Sequence, residues 1–208
     1  FPNWDELFPK RMPEYVNGGP VHVLKRGFDI LLEGEGEPLI DDSIAATTFA
    51  ILPPNFIGIQ PIPKMLVEEG QEVKAGDPLF FDKLSPDIKY CAPVSGEVIA
   101  VKRGEKRSII EVVILADKEM KYRSYEPFDL EKGSREELVA FLLDSGCWPM
   151  IRQRPFDVIA DPAETPRDIF ITTFDSAPLA PDPSLVVAGR EAAFQKGLDV
   201  LNKLTDGK

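Results

Sequence analysis

Histidine is almost absent from this chain. His22 is the only one in 208 residues, which excludes a histidine-based metal site or a Ser-His-Asp triad built within the chain. Cysteine is nearly as scarce. Cys91 and Cys147 stand alone, without CxxC or CxH spacing, which points to a reducing compartment and to no metal. No Cys cluster is available for iron–sulfur. No Gly-x-Gly-x-x-Gly follows a strand-like segment, so the dinucleotide fingerprint is missing. No apolar run reaches the roughly eighteen residues of a membrane-spanning helix, and no charged-then-apolar leader opens the sequence. A soluble or peripheral protein is the expectation. Positive charge is in deficit: 24 Lys and Arg against 35 Asp and Glu give a net −11. That balance argues against nucleic acid as a partner, since phosphate binding needs a positive footprint.

What is present is a run of short alternating segments between glycine turns. It occupies residues 65–115, MLVEEGQEVKAGDPLFFDKLSPDIKYCAPVSGEVIAVKRGEKRSIIEVVIL. Evenly spaced short strands with turn signals predict a small closed or sandwiched β module. Gly70, Gly76 and Gly96 fall where the turns need a positive φ. The pattern V-x-E-G-x-x-V-x-x-G-x-x-L followed by A-P-x-S-G-x-V resembles the barrel-sandwich hybrid of biotinyl and lipoyl carriers. In true carriers an Asp-Lys pair sits at a hairpin tip and the lysine takes the cofactor. Asp82-Lys83 looks like that pair. Its early position puts Lys83 on the incoming strand, with Ser85-Pro86-Asp87 at the tip, so Lys83 is set aside as an attachment site. Cys91 alternates within a strand and is expected in the core.

Around this module the chain is read as follows. Residues 1–20 hold three prolines before a Gly-Gly-Pro break, and Trp4, Leu7 and Phe8 could form one apolar helical turn in a loosely packed arm. Residues 21–64 supply strands that pack on the β module, from Val21-His22-Val23-Leu24 to the apolar run 44–52. Phe56-Ile57-Gly58-Ile59-Gln60-Pro61 is expected to be extended, because proline biases the preceding residue out of the helical region. Lys102, Arg103, Lys106 and Arg107 form a basic knot in a hairpin turn on an acidic chain. It is either a solvated loop or a docking point for an acidic partner or an anionic lipid surface. Residues 116–157 are a helix and linker. Ser134 and Glu137 form a capping box, Leu138, Phe141 and Leu142 share a face, and Gly146 ends the helix. In residues 158–208, Ile169 to Phe174 reads as a buried strand. Asp182-Pro183 starts a helix with Phe194, Leu198 and Leu201 on its apolar face. One strand and one helix make an unfinished α/β, Rossmann-like layer, so the expectation is an α+β chain that is a piece of a longer polypeptide.

Taken in order, R-G-F-D-I at 26–30, the V-to-K pattern at 67–83, A-P-V-S-G-E-V at 92–98, R-G-E-K-R at 103–107, D-S-G-C-W at 144–148 and R-Q-R-P-F at 152–156 resemble one family. It is the A-subunit of the sodium-translocating NADH:quinone reductase, related to the C-subunit of the Rnf electron-transfer complex. The resemblance implies a peripheral subunit on the cytoplasmic side of the bacterial inner membrane, working with integral membrane subunits. It implies NADH, flavins and iron–sulfur on other subunits, quinone as substrate, and no covalently held cofactor or catalytic residue in this chain. It further implies a contribution to quinone binding.

A quinone needs an apolar wall for its ring and donors for its carbonyls. Arg152, Arg154 and Phe156 offer donors beside an aromatic face, and Phe56, Ile57 and Gly58 an apolar lip. The competing reading pairs the two arginines with Asp157, Asp161 or Glu164 and makes the segment a linker pin. A third class is a docking module without a ligand. Trp148 is expected at an interface.

Overall fold

The computed structural model describes residues 37–207 except 42, 44, 45, 176 and 178. The arm at 1–20, the expected strand at 21–24 and the R-G-F-D-I motif lie outside the described residues. By internal contacts the chain divides into two units. The larger comprises Pro38–Phe174 with Asp182–Lys208, and the smaller Phe1–Glu37 with Asp175–Pro181. In the smaller, the Asp175 carboxylate accepts the Ala177 N–H at 2.9 Å.

The larger unit is built on two antiparallel sheets. Strands β1 (Thr48–Ile51), β3 (Glu72–Val73), β6 (Gly96–Arg103) and β7 (Ile109–Ala116) form a sheet in the order β1-β7-β6-β3. Strands β2 (Lys64–Met65), β4 (Pro78–Asp82) and β5 (Ser85–Cys91) form the second, in the order β2-β4-β5. The core is drawn from both: Leu79, Phe80, Val98, Val112 and Ile114 are all fully buried. Consecutive Leu79 and Phe80 both lie inside, and a register shift in the β4–β5 pairing between Pro78 and Phe80 accompanies that break in alternation. Phe80 stacks on Tyr90 at 4.9 Å between ring centroids, and Phe56 meets the same ring edge-on at 4.7 Å. Aromatic pairs of this kind contribute about 1 kcal/mol beyond area burial.

The turn glycines behave as the spacing predicts: Gly70, Gly76 and Gly96 have φ of 86°, 95° and 149°. At Gly96 the reason is also steric, because a Cβ there would lie 1.9 Å from the Leu115 carbonyl oxygen of the paired strand.

Helix α1 (Arg135–Asp144) starts on the expected capping box. The Ser134 hydroxyl accepts the Glu137 N–H at 3.1 Å, and the Glu137 carboxylate accepts the Ser134 N–H at 2.8 Å. A cap of this type stabilises by about 1 kcal/mol. Leu138, Val139 and Leu142 are buried on its inner face. Arg123 ties the helix end to the β module, its Nη2 donating to both Asp144 carboxylate oxygens at 2.9 and 3.0 Å. Beyond α1 a short ribbon forms from β8 (Arg152–Gln153) and β9 (Val158–Ile159). Two helices follow, α2 (Pro183–Val187) and α3 (Glu191–Lys203). Asp182 caps α2, its carboxylate accepting the Ser184 N–H at 2.8 Å.

Several expectations are corrected. Residues 56–61 are not one extended run: Phe56 is extended, at φ −90° and ψ 115°, but Ile57-Gly58 is a turn with Gly58 at φ 93°. Within the apolar run at 44–52, Thr48–Ile51 is strand, and residues 44 and 45 lie outside the described residues. Residues 169–174 are neither strand nor buried: Phe170 is 92% and Phe174 80% exposed, because no strand pairs with them among the described residues. Trp148 is a core residue, 3% exposed, whose indole N–H donates to the Ala160 carbonyl at 2.8 Å. Phe194, on the helix's apolar face, is 39% exposed, and Gly189 at φ 75° divides the expected single helix in two.

Candidate functional site

The loop between β1 and β2 and the start of β7 enclose a cleft of about 280 Å³. Pro53, which is buried, lines it together with Phe56, Ile57, Gly58 and Ile109, which give it apolar walls. Gln60 and Ser108 are the polar residues of the same lining. Two long-range hydrogen bonds set its shape. The Ile109 N–H donates to the Pro61 carbonyl at 3.0 Å. The Gln60 N–H donates to the Asp82 carboxylate at 3.1 Å. The volume sits at the lower edge of the range for small-molecule sites, enough for a ring-sized group.

Phe56 and Gly58, two of the residues singled out from the sequence, line this cleft. Phe56 is half-buried, since its ring also packs on Tyr90. Arg152, Arg154 and Phe156 lie on the β8–β9 ribbon and do not line the cleft. The ribbon nevertheless adjoins it: a Cβ at Gly58 would sit 3.5 Å from Val158 Cγ1. Both arginines face Asp157. Arg152 Nη1 donates to its carboxylate at 2.8 Å and Arg154 Nη1 lies 3.7 Å away. These pairs are largely exposed and contribute little to stability. The competing sequence reading foresaw Asp157. It also named Asp161 and Glu164, but those residues engage Gln153 instead. The Gln153 amide donates to Glu164 at 2.6 Å and its oxygen accepts the Asp161 N–H at 3.0 Å. Phe156 is 82% exposed.

Gln60, Ser108 and Ile109 were not expected at a site. Their approach depends on a backbone bond between residues 61 and 109, and nothing in local spacing reports it. Proline clustering at 53, 54 and 61 was the available signal for an irregular, cleft-forming loop.

Lys83 occupies a different place from the one expected. Asp82 pairs with Ser85, so Lys83 and Leu84 form the two-residue turn at the β4–β5 tip, and Ser85-Pro86-Asp87 begins the outgoing strand. The positional ground for setting Lys83 aside is therefore overturned. Asp82 is 6% exposed and turned inward, its two oxygens accepting the Gln60 and Leu84 N–H groups.

The basic knot closes the β6–β7 hairpin. Lys102 pairs with Glu111 across the strands. Arg103, Lys106 and Arg107 are exposed and have no ion pair among the described residues. Cys91 is half-buried and burial pushes its thiol up to about 11. Cys147 is exposed. No group of three or more His, Cys, Asp or Glu side chains that could hold a metal is found among the described residues, and no described helix is long and apolar enough to cross a membrane.

Comparison with known proteins matches residues 22–117 to the NqrA N-terminal barrel-sandwich hybrid domain and residues 133–208 to the NqrA second alpha/beta domain. Among curated relatives, the A-subunit of the Na(+)-translocating NADH-quinone reductase from Serratia proteamaculans is 39% identical over 189 residues, covering 89% of this chain and 42% of the relative. The protein of the same name from Yersinia pseudotuberculosis is 40% identical over 187 residues, covering 89% and 41%. That from Marinomonas sp. is 38% identical over 190 residues, covering 90% and 42%. The chain thus spans about two fifths of the length of these relatives. Two consecutive domain matches and this level of identity establish that the chain belongs to the NqrA family, as its N-terminal barrel-sandwich hybrid domain followed by its second alpha/beta domain.

Proposed function

We propose that this chain is the part of a peripheral subunit that contributes a quinone head-group site to a sodium-pumping NADH:quinone reductase. The subunit would lie on the cytoplasmic side of the bacterial inner membrane and help to assemble the complex on its integral membrane subunits. NADH, flavins and iron–sulfur would belong to those other subunits. The observation that carries the reading is the cleft between the Pro53–Pro61 loop and Ser108–Ile109. Most of its lining residues are apolar, and two, Gln60 and Ser108, are polar.

In such a site Phe56, Ile57 and Ile109 exclude water from the ring faces. The Gln60 amide and the Ser108 hydroxyl are donors for the quinone carbonyl oxygens. Such donors stabilise negative charge that develops on oxygen as electrons arrive. Gly58 leaves the wall without a side chain, at a φ of 93° that side chains rarely adopt. Arg152 and Arg154 act at one remove, through a ribbon that abuts the cleft.

The second reading is a docking module without a ligand of its own. The engagement of both arginines by Asp157 favours it. Calorimetric titration of the detergent-stabilised chain with a short-chain quinone separates the two. The quinone reading expects saturable binding, weakened about tenfold or more by Gln60→Leu, roughly what a lost polar contact in a dry site costs. Binding that appears only when partner subunits are added supports the docking module instead. Arg154→Ala tests whether the ribbon contributes.

A further inference from the structure

We propose that the cleft-bearing end of the larger unit rests on an anionic bilayer surface. Arg103, Lys106 and Arg107 would meet lipid phosphates, and Ile57, Ile62 and Ile110 would enter the boundary between headgroups and acyl chains. The inference deepens the docking role above and, for the cleft, rests on the quinone reading.

The charge is local and uncommitted. On a chain of net −11, three exposed cations gather in one five-residue turn with no ion pair among the described residues, and Glu105 is the one carboxylate within that turn. Lys102, beside them, is already matched by Glu111. Acidic groups more than a Debye length away, about 8 Å at physiological salt, are largely screened from such a patch.

The backbone adds a second argument. Lys106 and Arg107 have φ of 52° and 66°, two successive residues in the left-handed region. Glycine or asparagine would hold that conformation at lower steric cost. A turn selected for closure alone would use them, so the basic side chains here point to a role beyond folding.

The third argument is apolar. Ile57, Ile62 and Ile110 are 42%, 40% and 43% exposed. They belong to the same end of the unit. Ile110 Cδ1 lies 2.8 Å from where a Gly104 Cβ would be, inside the basic turn. The adjoining Ile109 N–H holds Pro61, the neighbour of Ile62, and Ile57 shares the cleft wall with Ser108. Exposed isoleucines add nothing to recognition of an acidic protein's carboxylates. Beside cations they match the interface of an anionic membrane, where apolar burial and electrostatic attraction add. The position suits a cleft of about 280 Å³, which has room for a quinone ring but not for an isoprenoid tail.

Flotation of the full 208-residue chain with vesicles tests the proposal. Phosphatidylcholine vesicles containing about a third phosphatidylglycerol should carry the protein at low salt, and pure phosphatidylcholine vesicles should not. Each of Arg103→Gln, Lys106→Gln and Arg107→Gln should weaken binding about fivefold, with the unfolding midpoint unchanged. Ile110→Ser should lower the binding that survives high salt. Equal binding to both vesicle types, or none to anionic vesicles at low salt, overturns the proposal. So does retention on an acidic polypeptide column without vesicle binding, which would assign the knot to a protein partner. Short-chain quinone binding is measured separately without vesicles. Its loss with flotation intact removes the quinone reading and leaves the membrane surface standing.

Discussion

The carboxylate of Asp82, at the end of β4, holds the backbone of Gln60 in the loop between β1 and β2. One oxygen accepts the Gln60 N–H at 3.1 Å and the other the Leu84 N–H at 3.0 Å. One buried side chain therefore fixes both the β4–β5 tip and a wall of the cleft. Hydrogen bonds to a charged group contribute about 1.5–3 kcal/mol each, and orphaning a buried amide adds to the loss. Asp82→Ala should destabilise the chain by about 3 kcal/mol in urea unfolding, and Asp82→Asn by less, because one acceptor oxygen remains. An unchanged midpoint would show that the loop is held by its prolines alone.

The same contact bears on Lys83. It stands at the hairpin tip, where a carrier holds its attachment lysine, but the preceding carboxylate is turned inward and already bonded. An enzyme that reads an Asp-Lys pair would find the lysine without its neighbour. The intact mass of the protein purified from its host should equal the sequence mass. An added biotinyl or lipoyl mass that disappears in Lys83→Arg would show that the scaffold is a working carrier.

The β module was legible because its information is local. Turn glycines at 70, 76 and 96 each require a conformation or an approach that only glycine tolerates, and their spacing set the strands. The capping box at Ser134 was legible for the same reason. The hairpin tip was misplaced because Pro86 suggested a turn, while the two-residue connection at Lys83-Leu84 contains none of the usual turn residues. Of the site, Phe56 and Gly58 were visible as an apolar lip. Gln60, Ser108 and Ile109 were not, because residues 48 positions apart meet through one backbone hydrogen bond, from Ile109 to Pro61. The segment at 169–174 has the composition of a buried strand. Composition records what a segment can bury, and the partner strands that would bury it are not among the described residues.

Gly146 offers a test of close packing behind the D-S-G-C-W motif. A Cβ at this position would lie 2.4 Å from Cys91 Sγ and 2.9 Å from its Cβ, and φ is 72°. Gly146→Ala should therefore destabilise twice over, through a clash and through the left-handed backbone, by about 2–4 kcal/mol in all. Pairing it with Cys91→Ala should recover part of the clash and none of the backbone strain, leaving about 1–2 kcal/mol of strain besides the remaining clash with the residue 91 Cβ. Additive losses in the double-mutant cycle would mean that the two residues do not meet.

Tyr90 makes stability depend on alkaline pH. Burial, and secondarily the charge of Asp82, push its phenol up to about 12, against about 10 unfolded. The folded state thus holds the proton more tightly than the unfolded state. Its contribution is complete below pH 10 and is lost as pH rises from about 10 to about 12. Wild-type stability should fall through that window, and Tyr90→Phe should fall less steeply, with cysteine and lysine titrations common to both. Parallel curves would show that the phenol reaches water.

Protection against hydrogen exchange should divide the chain at the ribbon. Strands β6 and β7 carry Val98, Val112 and Ile114 at full burial within a paired ladder. In residues 169–174 the backbone makes no ladder bond, and the Phe174 N–H reaches only the Thr172 hydroxyl at 3.2 Å. Local opening costs little where backbone bonds and buried contacts are few. Amides at 170 and 171 should exchange orders of magnitude faster than those at 98, 112 and 114. Slow exchange at 170 and 171 in the isolated chain would mean that this edge finds a partner in solution, through self-pairing of the kind exposed strand edges invite. Dilution would then restore the fast rate, and a rate independent of concentration would place a pairing strand within the same chain.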